Sequence, residues 1–127
     1  LGRDVILVVE DDESARVLLE MALVDEGYDV VTAKNGAVGL TIALDRRPKL
    51  ILLDLRMPVM DGWQFARAYR ERAAEPAPIV LLTAGSDRDL ARADLPGDAL
   101  VRKPFDLDEL LAIVRPLVRG DVGFGGL

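Results

Sequence analysis

The chain of 127 residues contains neither histidine nor cysteine. The lack of cysteine excludes disulfides and thiolate metal centres, and it suits a reducing compartment. The lack of histidine excludes Ser-His-Asp and Cys-His catalytic sites, an imidazole zinc site and a phosphohistidine carrier. A phosphoryl group, if one is handled here, is therefore expected on a carboxylate. No apolar run approaches the roughly 20 residues that cross a bilayer. No basic segment followed by an apolar stretch opens the chain, so a cytoplasmic protein without membrane contact is expected. The first residue, Leu1, is not methionine, which reads as a piece of a longer parent. A net charge of −6 argues against direct contact with nucleic acid.

What the chain does contain is an ordinary globular composition, 50% apolar and 30% charged, of a size that suits one domain. Within it, four short apolar runs each lead to a polar residue. Val5–Val9 runs into Glu10-Asp11-Asp12, and Leu50–Leu53 into Asp54. Ile79–Leu82 runs into Thr83, and Leu100-Val101 leads through Arg102 to Lys103-Pro104. Such runs read as parallel strands covered on both faces. In an open parallel sheet, ligands sit at the carboxyl ends of the strands. Two acids, a lone aspartate, a hydroxyl and an ammonium are thus expected at one edge.

The segments between these runs carry helical patterns, so a doubly wound α/β domain is expected. Helices are predicted over Ser14–Glu26, closed by Gly27, and over Ala37–Leu44, after the Asn35-Gly36 turn. Another is predicted over Trp63–Arg72, where Trp63, Phe65 and Tyr69 read as core rather than as a stacking platform. A short helix is predicted over Ser86–Asp94, and a last one capped by Asp106, with Glu109 at the capping-box position. Pro116 should kink or end that last helix. Tyr28–Ala33 is a second strand that brings no candidate ligand, as fits an outlying edge in a sheet ordered 2-1-3-4-5. The glycine-rich tail, residues 119–127, is expected to be flexible, leaving one domain over 4–118.

Carboxylates about 4 Å apart repel by roughly 4 kcal/mol at an intermediate dielectric. If Glu10, Asp11 and Asp54 meet, a cation must neutralise them or one must stay protonated. An all-oxygen set with open positions suits Mg²⁺ better than zinc or calcium. Asp54 is then a candidate nucleophile for an acyl phosphate, with Thr83 and Lys103 as partners for phosphoryl oxygens. Taken singly, each residue has a plainer role. Asp12 and Asp54 fit helix caps or turns, Thr83 a strand end, and Lys103 a solvated side chain. Their joint order carries the functional reading.

These residues resemble the receiver domain of two-component response regulators. The markers are Val8-Val9-Glu10-Asp11-Asp12, Asp54-Leu55-Arg56-Met57-Pro58 with Asp61-Gly62, Leu82-Thr83-Ala84, and Lys103-Pro104-Phe105. The resemblance implies a (βα)5 flavodoxin-like three-layer sandwich with a parallel sheet in the order 2-1-3-4-5. It implies Asp54 as phosphoacceptor, and Mg²⁺ held by Asp11, by Glu10 through water, by Asp54, and by the backbone carbonyl of Arg56. Thr83 and Lys103 would bind the phosphoryl oxygens. The donor would be a phosphohistidine on a sensor histidine kinase or phosphotransfer protein. Output would pass to an effector through protein contacts, from a monomer or a phosphorylation-linked dimer. Such a module is not an enzyme beyond its own phosphoryl transfer and slow autodephosphorylation. Three features depart from the family pattern: Leu100 at the switch position that is usually aromatic, the short Ser86–Asp94 helix, and Pro116. Arg56 and Gly85, which flank the site, are unsuited to orienting a water, so a long-lived acyl phosphate is expected. A phosphorylation-independent docking module is the alternative. A phosphohydrolase is disfavoured because Arg56 stands where its second acid belongs, and an FMN site because the acids would repel the cofactor.

Overall fold

The structure is a computed structural model that describes residues 4–84 and 96–120. The elements are β1 (Val5–Val9), α1 (Glu13–Asp25), β2 (Asp29–Ala33), α2 (Gly36–Arg46), β3 (Leu50–Asp54), α3 (Gly62–Arg72), β4 (Ile79–Thr83), β5 (Ala99–Arg102) and α4 (Leu107–Arg119). The strands form one parallel sheet in the order β2-β1-β3-β4-β5. This is the flavodoxin-like order. All residues of the interior strands β3 and β4 are buried, which is why their sequences show no polar alternation. β2 lies at an edge and is mostly half-buried.

Strand side chains alternate between two cores. Leu7, Val9, Ile51, Leu53, Ile79 and Leu81 pack with α2 and α3. Their neighbours Ile6, Val8, Leu50, Leu52, Val80 and Leu82 pack with α1 and α4. Phe65 and Tyr69 stack within the first core, with ring centroids 5.9 Å apart, and Trp63 is buried beside them. The three rings are core, as their spacing implied.

Local chemistry starts each helix. Asp12, Asn35, Asp61 and Asp106 are the N-caps, and each side chain accepts a backbone N–H of the first turn. The reciprocal capping box occurs on α3, between Asp61 and Gln64, whereas Asp106 accepts from Asp108 N at 2.8 Å. Gly27 follows α1 with φ of +99°, a conformation open to glycine at little cost.

Pro116 does not end the last helix, which continues to Arg119 and closes at Gly120. The proline removes one hydrogen bond and costs about 3 kcal/mol. Beyond it, Leu117 and Val118 are buried against the sheet, and each contributes about 1.5–3 kcal/mol. Packing thus offsets the proline. The expected Ser86–Asp94 helix and the tail from residue 121 lie outside the described residues, as does Gly85.

Candidate functional site

The four run-ends meet at the carboxyl edge of the sheet. β1 delivers Glu10, whose N–H still bonds to Ala33 O at 3.0 Å and whose side chain is fully buried. Asp11, the next residue, is exposed. β3 ends on Asp54, only 5% exposed. Oxygens of these three carboxylates lie within 4.8 Å of one another. β4 ends on the buried Thr83, whose carbonyl accepts from Lys103 N at 2.7 Å and so anchors the chain beyond β5. Lys103, joined to Pro104 by a cis peptide bond, reaches back over the acids. Its ammonium lies 2.5 Å from Glu10 Oε1 and 3.5 Å from Asp54 Oδ2. Glu10 Oε1 is deeply buried, and this ammonium compensates it.

Three carboxylates facing one ammonium leave negative charge uncompensated. Burial, reinforced by hydrogen bonding and repulsion from Glu10, raises the Asp54 carboxyl to about 8. Asp11 adds to the rise and Lys103 opposes it. Burial alone would lower the Lys103 ammonium, but Glu10 and Asp54 outweigh it and hold the pKa above the ordinary lysine value. The donor set fits a small hard dication. It is all oxygen, partly exposed through Asp11, and short of one cationic partner.

The loop after β3 is shaped around Asp54. Arg56 N donates to Asp54 Oδ1 at 3.2 Å, and Leu55 N extends the sheet to Leu82 O at 3.0 Å. The loop closes where Gly62 N donates to Leu55 O at 3.0 Å. A Cβ on Gly62 would sit 3.0 Å from Leu55 Cα, so a side chain there would push the two segments apart by a few tenths of an ångström. Within the loop, Val59 has φ of +72° and Met60 N donates to Pro58 O at 2.8 Å. This is a γ-turn of the strained, positive-φ kind. The Arg56 guanidinium lies over the Trp63 ring, 5.1 Å from its centroid. Leu100 is half-buried, opposite Leu81 in register, and packs on the α2/α3 core.

Sequence reasoning passed over Arg16. Its guanidinium, in the first turn and a half of α1, donates to Glu10 O at 3.0 Å and Asp11 O at 3.4 Å. It thus holds the backbone of the acidic pair, while Asp12 N donates to Glu10 Oε2 at 3.1 Å. A basic residue one turn into a helix that follows an acidic strand end is the signal that marks it.

A five-strand parallel α/β domain with two buried carboxylates and one exposed carboxylate clustered at the carboxyl edge defines the class as flavodoxin-like, with a cation-ready acidic pocket. The chain belongs to the response regulator receiver domain family, whose model matches residues 6–115. It is 39% identical over 116 residues to the response regulator ArlR of Staphylococcus aureus, covering 90% of this chain and 52% of that protein. The chain thus spans about half the length of the curated relatives it matches. Among solved structures it resembles the response regulator TrrA of Thermotoga maritima, in complex with Mg²⁺-BeF. That match has 36% identity and a TM-score of 0.80, covering 90% of this chain and 98% of that one. It also resembles the receiver domain of a sensor histidine kinase of Pseudomonas aeruginosa, with magnesium coordinated in its active site cleft. There the identity is 30% and the TM-score 0.80, over 93% and 98% of the two chains. Among the described residues, no helix is long and apolar enough to cross a membrane.

Proposed function

We propose that residues 4–118 form a phosphorylatable receiver that accepts a phosphoryl group onto Asp54 from a phosphohistidine of a sensor kinase or phosphotransfer protein. The observation that carries this reading is the burial of Asp54 between the Glu10/Asp11 pair and the Lys103 ammonium. Glu10, Asp11, Asp54 and the Arg56 carbonyl would hold Mg²⁺. Bound there, the dication neutralises the carboxylates and the charge on the phosphoryl oxygens.

This chain's own residues do the rest. With a cation present Asp54 is ionised, and one of its oxygens attacks phosphorus. The Asp54 O–P bond forms as the donor's P–N bond breaks, and that electron pair leaves with the imidazole. Arg56 N, already on Asp54 Oδ1, orients the carboxylate. Lys103 exchanges part of its pairing with Glu10 for a phosphoryl oxygen, and Thr83 supplies a hydroxyl donor. A protein donor has a surface to meet. Val17, Leu18, Met21 and Val24 lie exposed along α1, the helix that starts at the acidic edge, and form an apolar stripe at helical spacing. The signal then passes through protein contacts to an effector.

Incubation with acetyl phosphate and Mg²⁺, followed by intact mass measurement, tests this reading. Wild type should gain one phosphoryl group and Asp54→Asn none. Labelling of both, or of neither, refutes it. Arg56 lies against Trp63 and offers no general base to a water. The acyl phosphate should therefore persist for minutes or longer, and decay within seconds would contradict that.

A further inference from the structure

A second concave site lies at the opposite end of the sheet from Asp54. A cavity of about 500 Å³ opens where α2 and α3 end, beside the segment that leads into β3. That volume falls within the range of small-molecule sites, about 300–1,000 Å³. Its rim carries Arg47, Lys49 and Arg72 against one acid, Glu75. The cations are exposed, and none forms an ion pair with a described residue. In a chain of net charge −6 with 22 acidic residues, three cations around one hollow, none paired among the described residues, is an uneven distribution.

Helix termini account for only part of it. Each helix C-terminus carries about half a negative charge, so α2 and α3 together call for about one cation. Arg46 and Arg70 also stand in those last turns, and Arg70 is 3.6 Å from Asp98. The rim therefore keeps an excess of positive charge after both dipoles are compensated. Arg47 is itself unusual. It closes α2 with φ of 48° and ψ of 63°, the left-handed region where glycine or asparagine is the economical choice. An arginine retained there puts a guanidinium at the mouth of the cavity. Leu44, Pro48 and Ala73 supply apolar wall between the charges.

We infer that this cavity binds a small di- or triphosphate, with Arg47, Lys49 and Arg72 holding the phosphate oxygens. Arginine forks pair with phosphate in two-bonded fashion, and lysine adds a mobile point charge. A nucleic acid or an anionic membrane needs an extended basic surface, and this chain, with a pI near 4.6, would repel both. A concave rim of three cations suits a compact anion instead. β3 separates the cavity from Asp54 by roughly 13 Å, at about 3.3 Å per residue. Binding there leaves the acidic edge free.

Calorimetric titration with ATP and with inorganic pyrophosphate, in EDTA at low salt, tests the site. Without a dication the acidic edge repels both probes, so that edge does not contribute to the binding measured. Saturable binding of either probe at one site is expected. Arg72→Ala and Lys49→Ala should each weaken it about tenfold, and Asp54→Asn should leave it unchanged. Arg47→Gly suits the backbone at that position, so it should lose the same affinity with no loss of melting temperature. No binding of either probe at millimolar concentration overturns the inference. So does binding that survives all three charge removals.

Discussion

At the carboxyl end of the sheet three carboxylates crowd one ammonium, and the buried charges touch each other. At the amino end three cations border a cavity, and none pairs with a described residue. The first arrangement is coupled: burial makes each charge depend on its neighbour, so any change propagates. The second is solvated and loose, and removing a charge there leaves nothing stranded. Identical substitutions should therefore behave differently at the two ends. Lys103→Met strips the buried Glu10 carboxylate of the ammonium paired with it. It should cost about 3–5 kcal/mol of stability in urea denaturation and slow labelling by acetyl phosphate more than about 100-fold. Lys49→Met, on the exposed rim, should stay within about 0.5 kcal/mol of wild type. Equal costs at the two positions would erase the contrast.

The second contrast is in pH. Asp54 titrates near 8 in the folded chain and at 3.8 in the unfolded one. Between those values the folded state holds more protons at Asp54, so this group's contribution to stability is fully present below about 4 and is lost as pH rises to about 8. Asp54→Asn should flatten this slope and raise the melting temperature at pH 8. Mg²⁺ reverses the penalty by favouring the carboxylate. At hundredfold excess over its Kd it should add about 2.7 kcal/mol, with more of the gain at pH 8 than at pH 6. Thermal melts across pH, with Mg²⁺ and with EDTA, read this directly. A slope that Asp54→Asn leaves intact would mean the acidic edge is less coupled than its geometry implies.

The acidic end was legible in the sequence because its chemistry falls one or two residues past each apolar run. Strand ends are fixed by burial, so parallel strands carry Glu10, Asp54 and Thr83 to one edge without detailed knowledge of loops. Positions held by side-chain reach were harder to see. Arg16 acts on carbonyls six and five residues behind it, and a basic residue one turn into the helix is a faint mark beside an apolar run. Pro116 misled for the opposite reason, since the burial of Leu117 and Val118 decides the matter and that burial is tertiary. The basic cavity was invisible because its residues are scattered over two helix ends and a loop. Each reads alone as a cation at a helix terminus.

Arg16 makes the third contrast, since it is the cation that steadies the acidic edge without entering it. Arg16→Met should weaken Mg²⁺ binding about tenfold, the usual penalty for losing a group that orients ligands. Stability should fall by about 1–2 kcal/mol as two carbonyls lose a charged donor. Arg16→Lys should recover part of the affinity. Arg72→Met, an arginine lost from the other end, should alter neither quantity. If Arg16→Met lowers stability with Mg²⁺ affinity unchanged, Arg16 merely fastens α1 to the sheet.

Each end also holds one non-glycine residue in the left-handed region, Val59 near Asp54 and Arg47 at the cavity. Their strain is unequal. Arg47, at φ 48° and ψ 63°, sits in the ordinary left-handed helical well, where the cost is small enough that glycine's extra unfolded entropy cancels it. Val59 is β-branched and centres a strained three-residue turn at φ 72°. That conformation costs about 1–3 kcal/mol, against about 0.5–1 kcal/mol lost by introducing glycine. Val59→Gly should therefore stabilise the chain by about 1 kcal/mol, a gain that chemical denaturation resolves, while labelling by acetyl phosphate stays at the wild-type rate. The side chain is 81% exposed, so packing within the chain does not repay the strain. A stabilised, fully labelled Val59→Gly would show that the valine serves neither the stability of the fold nor the labelling chemistry. A destabilised one would show that the loop around Asp54 needs the valine for its own shape.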